Sequence, residues 1–268
     1  MTADPIRIFW QSFLDPEQAH KPYVDLLRKR LAEIANPSVT FDVVGILPPD
    51  RHIHRLTELR CGLVALRNAI AADRAGYDAV VISHFQEPLL GDIRSAVDVP
   101  VVSLGEASLL FACTIGRKIG LITIDPAFIP WHEEQVLKHG LERRVVGVSA
   151  MKISPAEFMS AMEPGPGLEN LLRQFEAQAQ PLLDAGAEVL IPAGGLPSLA
   201  LATERNLTIG GARVLDIVAV AVTQAEAAVK VHRITGIEPS RRSTFMKPSA
   251  AALEDFIEQT GGPLRELT

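Results

Sequence analysis

Residues 75–88 read AGYDAVVISHFQEP, and residues 185–198 read AGAEVLIPAGGLPS. Each stretch starts with Ala-Gly, reaches an acidic residue two positions later, continues into an apolar run and ends in a polar, turn-forming tip. The tenth residue counted from each Ala-Gly is His84 in the first copy and Gly194 in the second. The repeat predicts two related halves whose strand ends face a shared cleft, with His84 and Gly194 on opposite sides of a bound ligand.

Short apolar runs alternate with longer amphipathic segments along the chain, which is typical of helices that cover both faces of a mainly parallel sheet. The predicted strands are Ile6 to Trp10, Thr40 to Val44, Ala79 to Ser83, Val101 to Ser103, Ile119 to Thr123, Arg144 to Val148 and Val189 to Pro192. The predicted helices are Pro22 to Ile34, Leu56 to Ala75, Glu106 to Thr114, Ile129 to His139, Pro155 to Met162, Leu168 to Ala185, Ser198 to Asn206 and Ile217 to Thr235. We therefore expect an α/β fold with two pseudosymmetric lobes, each a mainly parallel sheet with helices on both faces.

The repeat also predicts the division of the chain into lobes. Residues 1–115 together with 207–268 form the first α/β lobe, and residues 116–206 form the second. The last segment, from Ile237 onward, contains three prolines among polar residues and one short helix near Leu253 to Gln259. Such arms often pack on a neighbouring subunit, so the sequence predicts a homo-oligomer.

Composition excludes several classes of protein. A chain of 268 residues with 47% hydrophobic content can bury a substantial core. Its net charge of -6, with both signs mixed along the sequence, predicts no nucleic-acid partner and no anionic lipid surface.

The start lacks the pattern of a signal peptide, and no run approaches the ~18 apolar residues of a membrane helix, which predicts a cytoplasmic protein with no membrane partner. Cys61 and Cys113 are too few for a disulfide framework or a thiolate metal site.

The residues that follow the predicted strands are the candidate ligand-binding positions, because ligands of open parallel sheets lie beyond the carboxyl ends of the strands. No G-x-G-x-x-G follows the first strand and no G-x-x-x-x-G-K-[ST] occurs, so a dinucleotide or nucleoside triphosphate cofactor is not expected. His84 can titrate near neutral pH, as a general acid or base requires, although a structural histidine is the alternative. Gly194 and Gly195 could present backbone N–H groups to an anion, or could form only a tight turn.

Other candidate site residues lie close in sequence to the ends of the predicted strands. Glu106 begins a helix and either complements the helix dipole or orients His84, and His132 lies in the first turn of the helix that follows Thr123. His54, His84 and His132 are of a residue type that binds zinc or iron, but no H-x-x-x-H spacing supports a metal site, and no metal is expected. The predicted catalytic residues are His84, Glu106 and His132. The predicted substrate-binding residues are Trp10, Gln11, Ser12, His54, Phe85, Gln86, Thr123, Gly194 and Gly195.

The stretch GYDAVVISHFQEPLLGDIRSAVDVPVVSLGEASLLFACTIGRKIGLIT, residues 76–123, resembles the hydantoin-racemase branch of the aspartate/glutamate/hydantoin racemase superfamily. The resemblance extends from Ile6 to about Thr235. It implies a two-lobed, pseudosymmetric enzyme that needs no cofactor. In that family one cysteine ends each repeated strand, and the two act as acid and base on opposite faces of a carbon next to a carbonyl. The matching positions here are His84 and Gly194, and neither is a cysteine.

The resemblance and the strand tips together predict an enzyme that transfers a proton at a carbon alpha to the carbonyl of a small carboxylate or cyclic amide. His84 would be the acid or base, with Glu106 or His132 as its partner. The backbone at Gly194 and Gly195, with Gln11 and Gln86, would hold the anion. The alternatives are a decarboxylase, lyase or hydrolase on the same scaffold, with or without a metal, and a small-molecule binding module without catalysis.

Overall fold

The computed structural model describes residues 4–14, 21–48, 52–202 and 206–267. Its strands are β1 (Ile6–Gln11), β2 (Val39–Val44), β3 (Ala79–Ile82), β4 (Val101–Ser103), β5 (Ile119–Thr123), β6 (Val145–Ala150), β7 (Val189–Pro192), β8 (Thr208–Ile209) and β9 (Ala212–Val214). Its helices are α1 (Lys21–Ile34), α2 (Arg55–Arg74), α3 (Leu90–Ala96), α4 (Leu104–Ile115), α5 (Ile129–Lys138), α6 (Pro155–Ser160), α7 (Pro166–Asp184), α8 (Gly195–Leu201), α9 (Ile217–Thr235) and α10 (Ala250–Gln259). The predicted α/β fold is confirmed.

The strands form two sheets. The first has the order β2-β1-β3-β4 and is parallel throughout. The second has the order β6-β5-β7-β9-β8 and is parallel except for the short antiparallel pair β8 and β9. In the first sheet Gln11 pairs with Ile82 and Ile82 pairs with Ser103, so the carboxyl-terminal ends of β1, β3 and β4 are level with one another. The segments that follow these strands therefore start side by side, which is the arrangement that a ligand site requires.

The described residues divide into two compact units at positions that differ from the predicted boundaries. One unit takes the described parts of 1–19, 31–103 and 222–268, and the other takes those of 20–30 and 104–221. The prediction assigned α4 and residues 20–30 and 207–221 to the first lobe, and the described ones lie in the second unit. For α4 the reason is its packing against β7, and for residues 207–214 it is the pairing of β9 with β7 through Val189 and Arg213.

The elements that the sequence analysis missed are short. Helix α3 has 7 residues, β8 has 2 and β9 has 3. The turn between β8 and β9 contains Gly210 and Gly211, both with positive φ angles of 55° and 85°. Glycine takes that left-handed conformation without the steric cost that a side chain brings. The helix predicted for Ser198 to Asn206 is the shorter α8, and part of its predicted range, residues 203–205, lies outside the described residues.

The core of the first unit lies between its sheet and helix α2. Phe9, Val80 and Ile82 from the sheet and Ala69 from α2 are fully or almost fully buried in one apolar cluster. Ile257 of α10 is part of that cluster, and the guanidinium group of Arg67 on α2 donates hydrogen bonds to carbonyl groups of the same C-terminal segment at 2.7 Å and 2.6 Å. The described C-terminal arm therefore packs on its own chain. The predicted homo-oligomer stays a prediction.

No helix within the described residues is both long enough and apolar enough to cross a membrane.

Candidate active site

His84 lies just beyond the end of β3, on the side of the first sheet that carries the carboxyl-terminal ends of its strands. The backbone N–H of Ser83 still donates to the Gln11 carbonyl at 2.9 Å, so the chain leaves the sheet at His84. The His84 Nε2 atom lies 3.0 Å and 2.9 Å from the two carboxylate oxygens of Glu58. The Phe13 ring stacks on the imidazole with 4.4 Å between ring centroids and 14° between planes. Both the position and the plane of the ring are thereby fixed.

The contact with Glu58 determines which imidazole nitrogen is available for chemistry. A carboxylate only accepts hydrogen bonds, so it holds the proton of a neutral ring on Nε2. Among the described residues, His84 Nδ1 has no hydrogen-bond partner, and the side chain is 21% exposed. The neutral ring therefore presents the lone pair of Nδ1 to a ligand, and the protonated ring presents an Nδ1–H. This arrangement is suited to a general base that becomes a general acid.

Helix α2 places Glu58 beside His84. Its N-cap is His54, whose Nδ1 accepts a hydrogen bond from the Thr57 backbone N–H at 3.2 Å. Glu58 lies in the first turn, where a carboxylate also interacts favourably with the helix dipole. One turn later, on the same face, Gly62 packs against the segment that follows His84. His54, a predicted substrate-binding residue, is thus an exposed helix cap.

The segment after His84 has an unusual backbone. Glu87 and Leu89 have φ angles of 47° and 55°, a left-handed conformation that residues with a side chain seldom adopt. Glu87 is 2% exposed, and its carboxylate accepts a hydrogen bond from the buried Ser103 hydroxyl. The hydroxyl of Ser83 is buried and has no hydrogen-bond partner among the described residues. Strained backbone and unsatisfied buried polar atoms cluster at functional sites, which supports this segment as one.

The close approach of α2 to this segment yields a test of the geometry. A Cβ atom added at Gly62 would lie 2.9 Å from Leu89 Cγ and 3.1 Å from Pro88 Cβ. We expect Gly62→Ala to push α2 away, to weaken the contact between Glu58 and His84, and to lower kcat about 10- to 100-fold, since small misplacements of catalytic groups cost that much. The same overpacking should lower the free energy of unfolding by about 1–3 kcal/mol. Steady-state kinetics and urea unfolding measure the two effects.

Gly91→Ala is the matched control for this experiment. Gly91 lies in α3, and a Cβ atom there would meet only Phe245 Cε1 at 3.8 Å, an ordinary contact distance. Wild-type kcat in Gly62→Ala, or an equal loss in Gly91→Ala, would contradict the role assigned to the Gly62 contact.

The second strand tip of the repeat lies in the other unit, after β7, and forms a tight turn. Gly194 has a φ angle of 161°, which is extended backbone open to any residue. Its N–H donates to the Pro192 carbonyl at 2.8 Å, and its carbonyl accepts from the Ser198 N–H at 3.2 Å. The Gly194 N–H is therefore used in the tight turn, one of the two alternatives that the sequence left open, and the anion-binding role of Gly194 and Gly195 stays a prediction. Gly195 is the first residue of α8.

Two predicted catalytic residues are engaged inside the second unit. The His132 side chain is fully buried, with Nε2 3.1 Å from Thr123 Oγ1 and Nδ1 3.2 Å from Gln135 Oε1. Both ring nitrogens thus have protein partners. A Glu106 carboxylate oxygen lies 4.0 Å from His139 Nδ1. Within the first unit the partner of His84 is Glu58. The catalytic roles predicted for Glu106 and His132 stay predictions.

Most of the predicted substrate-binding residues in the first unit are buried and contact other residues of that unit. The amide of Gln11 donates both of its hydrogens, to the carbonyl groups of Ser12 and Val44, and its oxygen accepts from Asn68. Trp10 is fully buried within β1, where it contacts Phe41 edge to face. The remaining members of the predicted set are a buried Ser12 whose hydroxyl accepts from the Leu14 N–H, a fully buried Phe85 and a half-buried Gln86.

Within the part of the chain that the structure describes, no group of three or more histidine, cysteine, aspartate or glutamate side chains is arranged to hold a metal ion.

Comparisons with known proteins agree with this architecture. The family model described as Asp/Glu/hydantoin racemase matches residues 18–225. A hydantoin racemase from Pseudomonas sp. (strain NS671) is 27% identical over 69% of this chain and 71% of its own length. A hydantoin racemase from Rhizobium meliloti is 29% identical over 66% of this chain and 69% of its own. The solved allantoin racemase from Klebsiella pneumoniae shares the fold, with a TM-score of 0.77 and 19% identity over 97% of this chain and 100% of its own. The chain belongs to the Asp/Glu/hydantoin racemase family of enzymes.

Proposed function

We propose that this chain catalyses proton transfer, without a cofactor, at a carbon alpha to the carbonyl of a small carboxylate or cyclic amide. His84 Nδ1 is the atom that takes and returns the proton, and Glu58 is the residue that orients the ring. The observation that carries the proposal is the contact of Nε2 with both Glu58 oxygens, which leaves Nδ1 as the unpaired nitrogen of a partly exposed ring at a strand end.

The proposed step follows from this geometry. The neutral imidazole uses the Nδ1 lone pair to remove the alpha proton, and the electron pair of the C–H bond moves into the carbonyl group to give an enolate. The Nε2 proton stays on the ring, hydrogen-bonded to Glu58, so the ring becomes an imidazolium. Return of a proton from Nδ1 to the carbon restores the neutral ring. When the proton on Nδ1 exchanges with solvent before it returns, the product carries a solvent hydrogen.

The relatives supply the first substrates to test. Two of them are named hydantoin racemases, and the solved structure is an allantoin racemase. We therefore propose cyclic amides with a hydrogen on the carbon next to a ring carbonyl, hydantoins and allantoin among them, as the first class. Aspartate and glutamate are the second class, because the family model carries their names.

Hydrogen exchange at the reacting carbon tests this proposal. Single enantiomers of 5-substituted hydantoins, allantoin, aspartate and glutamate are incubated with the protein in deuterated water. Proton NMR follows the alpha hydrogen, and optical rotation follows the configuration. We expect one class to lose its alpha-proton signal well above the rate without enzyme. Exchange of none of them above that rate would contradict the proposal. Release of carbon dioxide or ring opening would instead indicate the decarboxylase or hydrolase alternative.

We also propose where and in what form the enzyme works. Cys61 and Cys113 form no disulfide with any described residue, which fits the reducing environment of the cytoplasm. Leu110, Phe111 and Ile115 on α4 are large apolar side chains with 42–47% exposure, which fits a subunit contact in a homo-oligomer.

A further inference from the structure

Several arginines lie at the amino-terminal ends of the strands of the second sheet. Arg144 directly precedes β6, Arg117 lies two residues before β5, Glu188 directly precedes β7, and Arg213 lies in β9. These four strands are neighbours in the order β6-β5-β7-β9. Adjacent strands lie about 4.8 Å apart, so their amino-terminal ends bring together side chains that are far apart in the sequence.

These side chains line a pocket of about 880 Å³ that also includes Arg143 and Cys113. Four of its lining residues are arginines, and Glu188 is its one carboxylate. Arg143 and Arg213 are exposed, and neither guanidinium group has an ion pair among the residues that the structure describes. Four arginines against one carboxylate give this lining a positive charge, although the chain as a whole has a net charge of -6.

The Glu188 carboxylate stays ionised, and the backbone of its own chain holds it in place. One of its oxygens accepts hydrogen bonds from the backbone N–H groups of Arg117 and Lys118. These hydrogen bonds lower the pKa of Glu188, with a smaller contribution from the Arg117 charge. The carboxylate thus fastens the start of β5 to the start of β7, while Arg143 and Arg213 stay without a counter-ion.

We propose that this pocket binds a small molecule with a multivalent phosphate group. Guanidinium groups bind phosphate oxygens in pairs through their parallel N–H donors, and several arginines around one concavity match a charge of more than one. Four guanidinium groups offer more donors than a single phosphate can use, so the ligand carries a diphosphate or more than one phosphate group. The site is built within the second unit from residues that have no part in the proton transfer assigned to His84. It is therefore a second binding site, and its test does not depend on the proposed reaction.

Inorganic pyrophosphate is the probe for this site. Isothermal titration calorimetry at low salt compares the wild type with the double variant Arg143→Ala/Arg213→Ala, in which only exposed side chains change. We expect saturable binding to the wild type. Loss of charge-assisted hydrogen bonds should weaken that binding about tenfold for each arginine removed. Arg242→Ala, which removes an exposed arginine elsewhere in the chain, is the matched control and should bind like the wild type.

Cys113 reports whether the probe occupies this pocket. It is half-buried in the lining, whereas Cys61 is 5% exposed. Pyrophosphate should slow the modification of Cys113 by a thiol reagent in the wild type and not in the double variant. Vesicles containing phosphatidic acid, compared with phosphatidylcholine alone, distinguish a lipid headgroup from a soluble phosphate as the natural source. Equal affinity of wild type and double variant, or no protection of Cys113 at saturating pyrophosphate, would overturn the proposal.

Discussion

Replacing His84 with glutamine is expected to slow turnover of the substrate by about 100-fold or more, the usual cost of losing a general acid–base group. Glutamine is close in size and polar, so it can occupy the space next to Phe13 and Glu58. It has no nitrogen that gains and loses a proton near neutral pH. The loss should therefore appear in kcat, while the dissociation constant of a competitive inhibitor changes only a few-fold.

His52→Gln is the control for that experiment, because His52 is an exposed histidine outside the proposed site. It should have wild-type kinetics. The binding-module alternative predicts no turnover in the wild type either, so a measurable kcat of the wild type already separates it from the enzyme. A variant at His84 that retains wild-type kcat would contradict the acid–base assignment.

The second large effect is expected from Glu58→Gln. The carboxylate of Glu58 accepts from Nε2 and holds the ring in the form with the Nδ1 lone pair free. An amide can also donate a hydrogen bond, so it permits the other tautomer and a rotated ring. Loss of such an orienting partner typically costs about 10- to 100-fold in activity. We expect that fall in kcat, with KM changed little.

Glu58 acts through His84, so the two substitutions should not add. In the His84→Gln background, Glu58→Gln should cause almost no further loss, because the ring that it orients is gone. The control is Glu254→Gln, which removes an exposed carboxylate paired with Arg74. Fully additive effects of the two substitutions would show that Glu58 contributes independently of His84, against the positioning role.

The sequence predicted the fold well because its main strands are distinct apolar runs between turn-forming residues. All seven predicted strands are present, and the two copies of the repeat are β3 and β7 with the residues around them. The strands that were missed, β8 and β9, have 2 and 3 residues and are held by pairing with each other and with β7. Strands that short have no hydrophobic period to detect, since only their partners define them.

The site was predicted less completely, because its decisive contact is distant in sequence. Glu58 precedes His84 by 26 residues, whereas both predicted partners, Glu106 and His132, follow His84 in the chain. A topological signal was available. A helix that follows a strand in a parallel sheet begins at the edge where the strands end, so the first turn of α2 lies at the same edge as His84. An acid in that turn, Glu58, was the candidate to examine.

The predicted binding role of Gln11 shows why residue type and position were not enough. Gln11 does lie at the end of β1, as expected of a ligand-binding amide. Its side chain instead satisfies backbone carbonyl groups of Ser12 and Val44, because buried polar groups need partners at that depth. The same need explains His132, whose ring nitrogens are occupied by Thr123 and Gln135. The packing of the folded chain decides which polar side chains at the strand ends already have hydrogen-bond partners inside the protein, and the sequence does not show this.

The protonation state of the His84 ring tests the account most directly. Nitrogen-15 NMR of the protein labelled at its 7 histidines distinguishes a protonated from an unprotonated ring nitrogen, and the His84→Gln variant identifies the signals of His84. At a pH where the ring is neutral, we predict the proton on Nε2, facing Glu58, and an unprotonated Nδ1. A neutral ring that carries its proton on Nδ1 would contradict the account, because no lone pair would then be available to remove the alpha proton.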